Sequence, residues 1–156
     1  MLSAELAAHW LGHHRLTGHY LAAFPDSALL TYAPAEPLRP FGAMLWEVHG
    51  QTDYVLAGLS SGHWGEPRWA EAPSTDPASL RSAWAEQTAR LSRELPGIPD
   101  AHYLTLQHTG WGEMTGLAAA LGAIDNQTHH RAQGSIYLRE LGLQPPQFWD
   151  RGAGPA

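Results

Sequence analysis

Clusters of proline and glycine divide this chain into four long segments, and this division constrains the fold more than any other feature. The first cluster has three prolines between residues 34 and 40, the second extends from Gly62 to Pro77, and the third spans residues 96–99. Proline cannot continue an α-helix, and it forces the preceding residue out of the helical conformation. We therefore predict an all-α fold with helices at about residues 3–24, 40–60, 77–95 and 113–142.

The length of 156 residues is that of one domain, so we treat 1–156 as a single helical-bundle domain. The third predicted helix has the clearest start, because Asp76 is a favoured N-cap and Pro77 follows it at the first helical position. The fourth ends at Gly142, with two prolines soon after. The short run Tyr103–Leu106 is compatible with an extended segment.

The fourth predicted helix is apolar or small on nearly every side. Leu117, Leu121 and Ile124 line one side of it, and His130 lies on the opposite side. A helix of this kind is covered nearly all round. Either the segment 98–112 lies over it or a second copy of the chain does, and we predict a homodimer through the leucine and isoleucine face.

The composition excludes several kinds of chemistry. The chain has no cysteine, so disulfides, thiolate nucleophiles and cysteine-bound zinc are absent. All nine basic residues are arginine, which leaves no lysine for a Schiff base or a phosphate-binding loop. What remains is an unusual supply of ten histidines and seven tryptophans.

Charge and hydropathy indicate which classes of partner and which cellular compartment are compatible with this chain. The net charge is −6 and no stretch is rich in arginine, so we expect no nucleic-acid partner. No apolar run approaches the roughly 20 residues that cross a bilayer, so we expect no membrane partner. The first residues lack the basic and apolar regions of a signal peptide, and we expect a cytoplasmic protein.

Three residues form a candidate metal site. Asn126 and His130 are four residues apart, so their side chains lie above one another on the fourth predicted helix. His49 lies on the apolar stripe of the second predicted helix. A pair on one helix with a third ligand from a facing helix is a common metal site of helical bundles. Asp53, one turn after His49, is a candidate for orienting its ring.

Simpler interpretations of the same residues stay open. His49 is also compatible with a hydrogen-bonded core histidine, and Asp53 with a surface acid. Five tryptophans near segment ends are candidates for walling a pocket, lining a dimer interface or simply packing. They are Trp46, Trp64, Trp69, Trp111 and Trp149.

Two segments resemble the signatures of the DinB/YfiT-like superfamily. DNQTHHRAQGSIYLRELGLQPP, residues 125–146, is similar to its closing motif, which reads like NHxxHHRGQ followed by Tyr-Leu-Arg, Leu-Gly and prolines. RPFGAMLWEVHGQTDYVLAG, residues 39–58, is similar to the other signature, in which a histidine precedes an acidic residue by four. The resemblance implies a four-helix bundle of up-down-down-up topology, in agreement with the four predicted segments.

The resemblance also implies a metal triad. Its usual ligands are one histidine on the second helix and two on the fourth, and these positions fall on His49, Asn126 and His130. Asparagine stands where the family usually has histidine, and its carbonyl oxygen is a weaker donor to borderline metals than imidazole. His129 matches a common histidine that does not bind metal. His129, Gln133 and Asp53 are candidates for supporting the ligands.

The activity implied by the resemblance is metal-dependent. Relatives of known activity resemble thiol S-transferases that deliver a low-molecular-weight thiol, such as bacillithiol, to an electrophile. A divalent metal, zinc, nickel or similar, would lower the pKa of the thiol as it does for water. We therefore expect a thiol transferase or hydrolase-like enzyme with a small-molecule substrate. The alternative is a non-catalytic, metal-poor dimer with a binding or stress-response role.

Overall fold

Four long helices form the body of the protein. The computed structural model describes residues 2–67 and 72–152, so Trp69 lies outside the described residues. The elements in chain order are α1 (Leu2–Ala23), α2 (Asp26–Leu29), α3 (Phe41–Ser61), α4 (Pro77–Glu94), a 3₁₀ turn (Leu95–Gly97), α5 (Asp100–Leu104), β1 (Leu106–Thr109), β2 (Gly112–Thr115) and α6 (Gly116–Glu140). The four predicted helices are thereby confirmed as α1, α3, α4 and α6.

The long helices close into a four-sided bundle around an apolar core. Helix α3 packs against α6 and α4, and α1 packs against the same two helices from the other side. One half of the core is built around Trp10 and Leu56, and the other around Phe41 and Trp84. Each long helix thus buries one broad stripe, and most of the polar chemistry lies at the edges of those stripes.

Close helix contact depends on small residues at two points of α3 and α6. The Phe41 ring lies directly against the backbone of Gly134, where a Cβ atom would overlap it. The indole of Trp64 similarly occupies the space beside Gly58. The Phe41 contact brings α3 and α6 together, and the Trp64 contact packs the segment after α3 against that helix.

The fourth predicted helix begins later than expected because a hairpin precedes it. Residues 112–115 pair with 106–109 as antiparallel strands, and Gly112 makes the turn with a φ of 107°. Thr115 then caps α6, since its side chain accepts a hydrogen bond from the amide of Ala118. The predicted extended run Tyr103–Leu106 is only partly correct, because Tyr103 lies in α5 and Leu106 starts β1.

Helix α6 is not covered on every side within one chain. Ile124, predicted on a dimer face, is only 4% exposed and belongs to the core, whereas Leu121 is 43% exposed. Leu117 is half-buried. Helix α5 contacts α6, so the segment 98–112 covers part of α6. Cover by this segment was one of the two alternatives predicted from the sequence.

No helix in the described part of the chain is both long and apolar enough to cross a bilayer.

Candidate functional site

Two pairs of polar side chains face each other between α3 and α6. On α6, Asn126 and His130 are one turn apart, as predicted. On α3, Glu47 and Gln51 have the same four-residue spacing. Glu47 Oε1 lies 3.4 Å from His130 Nε2, and the Asn126 amide donates to Gln51 Oε1 at 2.7 Å.

The hydrogen bonds of His130 leave one ring nitrogen available to a cation. His130 Nδ1 lies 2.7 Å from Gln133 Oε1, one turn further along α6. That oxygen can only accept, so Nδ1 carries the proton of this bond. Nε2 then faces the Glu47 carboxylate, which is also an acceptor. Two acceptors at this distance require a proton or a metal ion on the nitrogen.

Glu47 is held in place by an arginine from the loop before α3. Arg39 Nη1 lies 2.7 Å from Glu47 Oε2, the carboxylate oxygen that does not face His130. Burial raises the pKa of the Glu47 carboxyl, but Arg39 and His130 outweigh it and hold that pKa below its ordinary value of 4.5. Glu47 is therefore a carboxylate at neutral pH, with one oxygen committed to Arg39 and the other to the cluster.

Asn126 orients its neighbours with its amide nitrogen. Asn126 Nδ2 donates to Gln51 and lies 3.5 Å from Glu47 Oε1. The amide therefore presents its NH₂ group toward the carboxylate, and its oxygen points elsewhere. Ligation of a metal by Asn126 would require the amide to rotate.

His49, the predicted ligand from the second long helix, does not join this cluster. Its Nε2 donates to the Ala83 carbonyl of α4 at 3.3 Å, and its Nδ1 lies 3.8 Å from Asp53. Burial lowers the pKa of the His49 imidazole, against the opposing effect of Asp53. These contacts direct the His49 ring toward α4 and Asp53, whereas the sequence prediction placed it in one cavity with His130. The two-residue offset between Glu47 and His49 corresponds to about 200° around a helix, which turns them to different neighbours.

The three residues predicted to support the ligands lie in different places. Gln133 contacts His130 directly, as described above. His129 is exposed, and its ring centroid lies 5.1 Å from that of His130. Asp53 accepts hydrogen bonds from Gln87 and Arg90 of α4, so it belongs to the surroundings of His49.

A small cavity opens beside the cluster. It has a volume of about 290 Å³ and lies between α6, the hairpin turn and Gln51. Trp111 and Met114 supply its apolar walls, together with alanine and glycine positions of α6. Gln51 therefore touches both the cavity and Asn126. Of the tryptophans proposed as pocket walls, Trp111 lines this cavity, while Trp46 is buried in the core.

The donor set around Glu47 fits a divalent cation with two protein ligands. A carboxylate oxygen and an imidazole nitrogen converge at 3.4 Å, and such mixed donors suit several divalent metals. Residues 2–67 and 72–152 contain no group of three or more histidine, cysteine or acidic side chains placed to hold a metal. A cation here would therefore need water, substrate or a rotated amide to complete its coordination.

The sequence signal for Glu47 and Gln51 is their shared spacing with Asn126 and His130. Two polar pairs, each four residues apart on helices that pack together, are able to meet across the interface. Glu47 lies one position off the apolar stripe of the second predicted helix, so the sequence alone does not direct its side chain inward. A single glutamine such as Gln51 carries no chemical signal on its own.

Comparison with known proteins agrees with this architecture. The structure is similar to a DinB-like protein from Bacillus cereus, with a TM-score of 0.75 and 20% identity over 92% of this chain and 95% of the other. It is also similar to the DinB-like protein YjoA from Bacillus subtilis, with a TM-score of 0.72 and 18% identity over 94% and 98% of the two chains. No curated protein matches the sequence.

The identities to these two structures are low, so they establish the shared fold alone. A sequence model of the DinB family, however, matches residues 1–152, which is nearly the whole chain. The chain therefore belongs to the DinB family.

Proposed function

We propose that this protein is a metal-dependent enzyme in which Glu47 and His130 bind a divalent cation. One observation carries the proposal. His130 Nδ1 is committed to Gln133, and its Nε2 faces a carboxylate oxygen 3.4 Å away. In this proposal Glu47 takes the place that the family resemblance gives to His49, and Asn126 supports Glu47 without binding the metal.

The chemistry of such a centre is that of a Lewis acid, which lowers the pKa of a bound thiol or water. The surrounding side chains prepare the site. Gln133 fixes the orientation of the His130 ring, as outer hydrogen bonds do for metal-bound histidines. Arg39 and Asn126 fix the Glu47 carboxylate from two directions. Glu47 is also able to accept a proton from a thiol or water near its Oε1.

The substrate class follows from the cavity and from the family resemblance. We propose a small electrophile with an apolar part, bound between Trp111 and Met114 and within reach of the Gln51 amide. Transfer of a low-molecular-weight thiol to this electrophile is the reaction implied by the resemblance. It would form a carbon–sulfur bond and expel the leaving group of the electrophile. Hydrolysis at the same site is the second form of the reaction.

Metal binding is the direct test. We expect zinc, nickel or manganese titrated into the metal-free protein to bind with 1:1 stoichiometry in isothermal titration calorimetry. Glu47→Gln and His130→Ala each remove a proposed ligand, so each should weaken binding by more than the roughly tenfold to hundredfold that loss of an outer hydrogen-bond partner costs. His49→Ala is the matched control on α3 and should bind as the wild type does. Equal weakening by His49→Ala and Glu47→Gln would contradict the assignment of Glu47.

An added imidazole provides a gain-of-function test of the same site. Asn126→His places a nitrogen donor one turn before His130, at the position where the family usually has histidine. We expect this variant to bind zinc more tightly than the wild type by at least about tenfold. Activity is then assayed with a thiol and a chromogenic aryl halide. Absence of metal binding in both the wild type and Asn126→His would overturn the proposal.

The alternative is a non-catalytic, metal-poor dimer with a binding or stress-response role. The orientation of Asn126 favours it, because the amide nitrogen donates to Glu47 and Gln51 and so satisfies the cluster without a metal. This alternative predicts that Glu47→Gln changes the stability of the protein, and that no thiol-transfer rate depends on Glu47. Loss of that activity in a folded Glu47→Gln variant would exclude it.

A further inference from the structure

A second cavity lies between α1 and α6, with the C-terminal segment across its mouth. Its volume is about 280 Å³. The side chains important for its chemistry are His13, Tyr20, Arg131, Ser135, Phe148 and Arg151. No acidic residue lines it. Two arginines and no carboxylate give this cavity a cationic lining.

Arg131 is a buried charge whose protein partners are all neutral. The residue is 5% exposed. Its Nη1 donates to the His13 carbonyl and to Thr17 Oγ1, and its Nη2 lies 3.0 Å from His13 Nδ1. Among residues 2–67 and 72–152 it forms no ion pair. A buried guanidinium normally has a carboxylate or phosphate partner, because removing the charge from water is costly.

The neighbouring imidazole does not compensate this charge. Burial and the positive charges of Arg131 and Arg151 together lower the pKa of His13 to about 4. His13 is therefore neutral at physiological pH and accepts a hydrogen bond from Arg131. The guanidinium has five N–H donors, and the described contacts leave Nε–H and one Nη2–H uncommitted.

The second arginine is positioned by the C-terminal segment. Tyr20 on α1 donates to the Pro146 carbonyl at 2.8 Å and so anchors this segment over the groove. The aliphatic part of Arg151 packs against Gly12, and its Nη1 lies 3.4 Å from His9 Nδ1. Within the described residues Arg151 also has no carboxylate partner. Phe148 lies 67% exposed at the same mouth.

We propose that this cavity binds a small organic anion whose carboxylate or phosphate group pairs with Arg131. A carboxylate or a phosphate can accept two parallel hydrogen bonds from a guanidinium, and a charge-assisted pair at a buried site is among the stronger hydrogen-bonded contacts. Arg151 closes the anion from the open side, the Ser135 hydroxyl lies at the cavity wall, and Phe148 covers an apolar part of the ligand. The net charge of the chain is −6, so this attraction is local to the cavity.

This site is separate from the Glu47–His130 cluster, although Arg131 and His130 are adjacent in sequence. His130 faces Glu47 on α3, whereas Arg131 contacts His13 and Thr17 on α1. Consecutive residues of a helix point about 100° apart, which separates the two sites across α6. Metal binding and anion binding are thus independently testable.

Anion titration tests the proposal with the whole protein. The probes are inorganic phosphate, acetate and benzoate, and binding is followed by calorimetry and by NMR of the arginine Nε–Hε groups. We expect saturable 1:1 binding of at least one probe, with a shift of the Arg131 resonance. Phosphate binding alone would identify a phosphoryl ligand, and tighter binding of benzoate than acetate would identify an aromatic carboxylate.

Variants decide whether the arginines are responsible. Arg151→Gln alters an exposed residue and should weaken binding by about tenfold. Arg131→Met should abolish it, and Arg93→Gln on the outer surface of α4 should leave it unchanged. Arg131→Met removes several buried hydrogen bonds, and this variant can fail to fold. The Arg151→Gln variant and the Arg131 resonance of the wild type therefore test the proposal without it. No saturable binding in the wild type, or equal binding in Arg151→Gln, would overturn the proposal.

Discussion

At the scale of single residues, the candidate site depends on how one imidazole is hydrogen-bonded. Gln133 fixes the proton on Nδ1 of His130, and this leaves Nε2 facing the carboxylate of Glu47. The same carboxylate contacts Arg39, which competes with any metal for its negative charge. If Glu47 binds a cation as proposed, we therefore expect Arg39 to weaken that binding.

Replacement of Arg39 by glutamine should strengthen metal binding. The variant removes a positive charge 2.7 Å from Glu47, so we expect the Glu47 pKa to rise while the group stays ionised at neutral pH. Zinc affinity should increase by roughly threefold to tenfold, because a repelling charge is lost. Carbon-13 NMR titration and calorimetry measure the two effects. Arg90→Gln, which removes the partner of Asp53, is the control, and a raised pKa with unchanged affinity would place the metal elsewhere.

Buried neutral histidines make the fold sensitive to mild acid. Burial lowers the pKa of His14 to about 3, while an unfolded histidine titrates near 6.5. Between these values the unfolded chain binds a proton that the folded chain does not, so the free energy of unfolding falls as the pH drops below 6.5. Above 6.5 this contribution to stability is fully present.

Urea denaturation between pH 7.5 and pH 5 measures this effect. His14→Gln removes one such group, and we expect the pH slope of the free energy of unfolding to decrease by up to about 1.4 kcal/mol per pH unit. The same substitution at the exposed His63 is the control and should leave the slope unchanged. An unchanged slope in His14→Gln would show that His14 is protonated in the folded protein.

At the scale of the elements, two glycines of α6 have opposite roles. A Cβ atom at Gly134 would overlap the Phe41 ring, whereas one at Gly122 would meet nothing within 4 Å. Alanine is favoured over glycine in a helix by about 1 kcal/mol. Whether an alanine stabilises or destabilises the protein at each position therefore depends on the space available for its Cβ atom. The close approach of α3 and α6 at Gly134 also positions Glu47 opposite His130.

Alanine substitutions at the two glycines should therefore change stability in opposite directions. We expect Gly122→Ala to raise the free energy of unfolding by up to about 1 kcal/mol. We expect Gly134→Ala to lower it by about 1–3 kcal/mol, because the core at Phe41 is overpacked. Urea denaturation of both variants measures the difference. A stabilised Gly134→Ala variant would show that the contact between α3 and α6 adjusts without loss.

At the scale of the whole molecule, one chain leaves two large apolar side chains of α6 exposed. Leu121 is 43% exposed and Ile136 is 58% exposed, and both lie on the side of α6 away from the core. Leu117 is half-buried one turn before Leu121, while Ile124 belongs to the core. Of the predicted dimer face, Leu117 and Leu121 therefore stay available, and Ile136 lies about four turns further along α6. The homodimer stays a prediction.

Light scattering tests the homodimer. At micromolar concentration we expect a mass twice that of the chain, and Leu121→Glu or Ile136→Glu should convert the protein to a monomer, because a buried unpaired charge opposes association. Leu104→Glu, at an exposed position of α5, is the control and should stay dimeric. A monomeric wild type would rule out self-association through the side of α6 that carries Leu121 and Ile136.

Local signals in the sequence specify the number, order and approximate ends of the long helices. Prolines, caps such as Asp76 and the spacing of apolar residues act on residues close to them in the sequence. The helices can therefore be predicted without knowledge of the tertiary structure. The same is true of the pair Asn126 and His130, because four-residue spacing within one helix fixes their common direction.

Which residues of α3 face that pair was decided only by tertiary packing. Glu47 and His49 lie on one helix, and a rotation of that helix exchanges the side chain that faces α6 for the one that faces α4. The contacts of α3 with both helices, including Phe41 against Gly134, fix the rotation, and they join residues far apart in the sequence. Tertiary packing also decides that Arg131 is buried without a carboxylate partner. The residues around its guanidinium come mainly from α1, so the sequence motif that contains Arg131 does not reveal them.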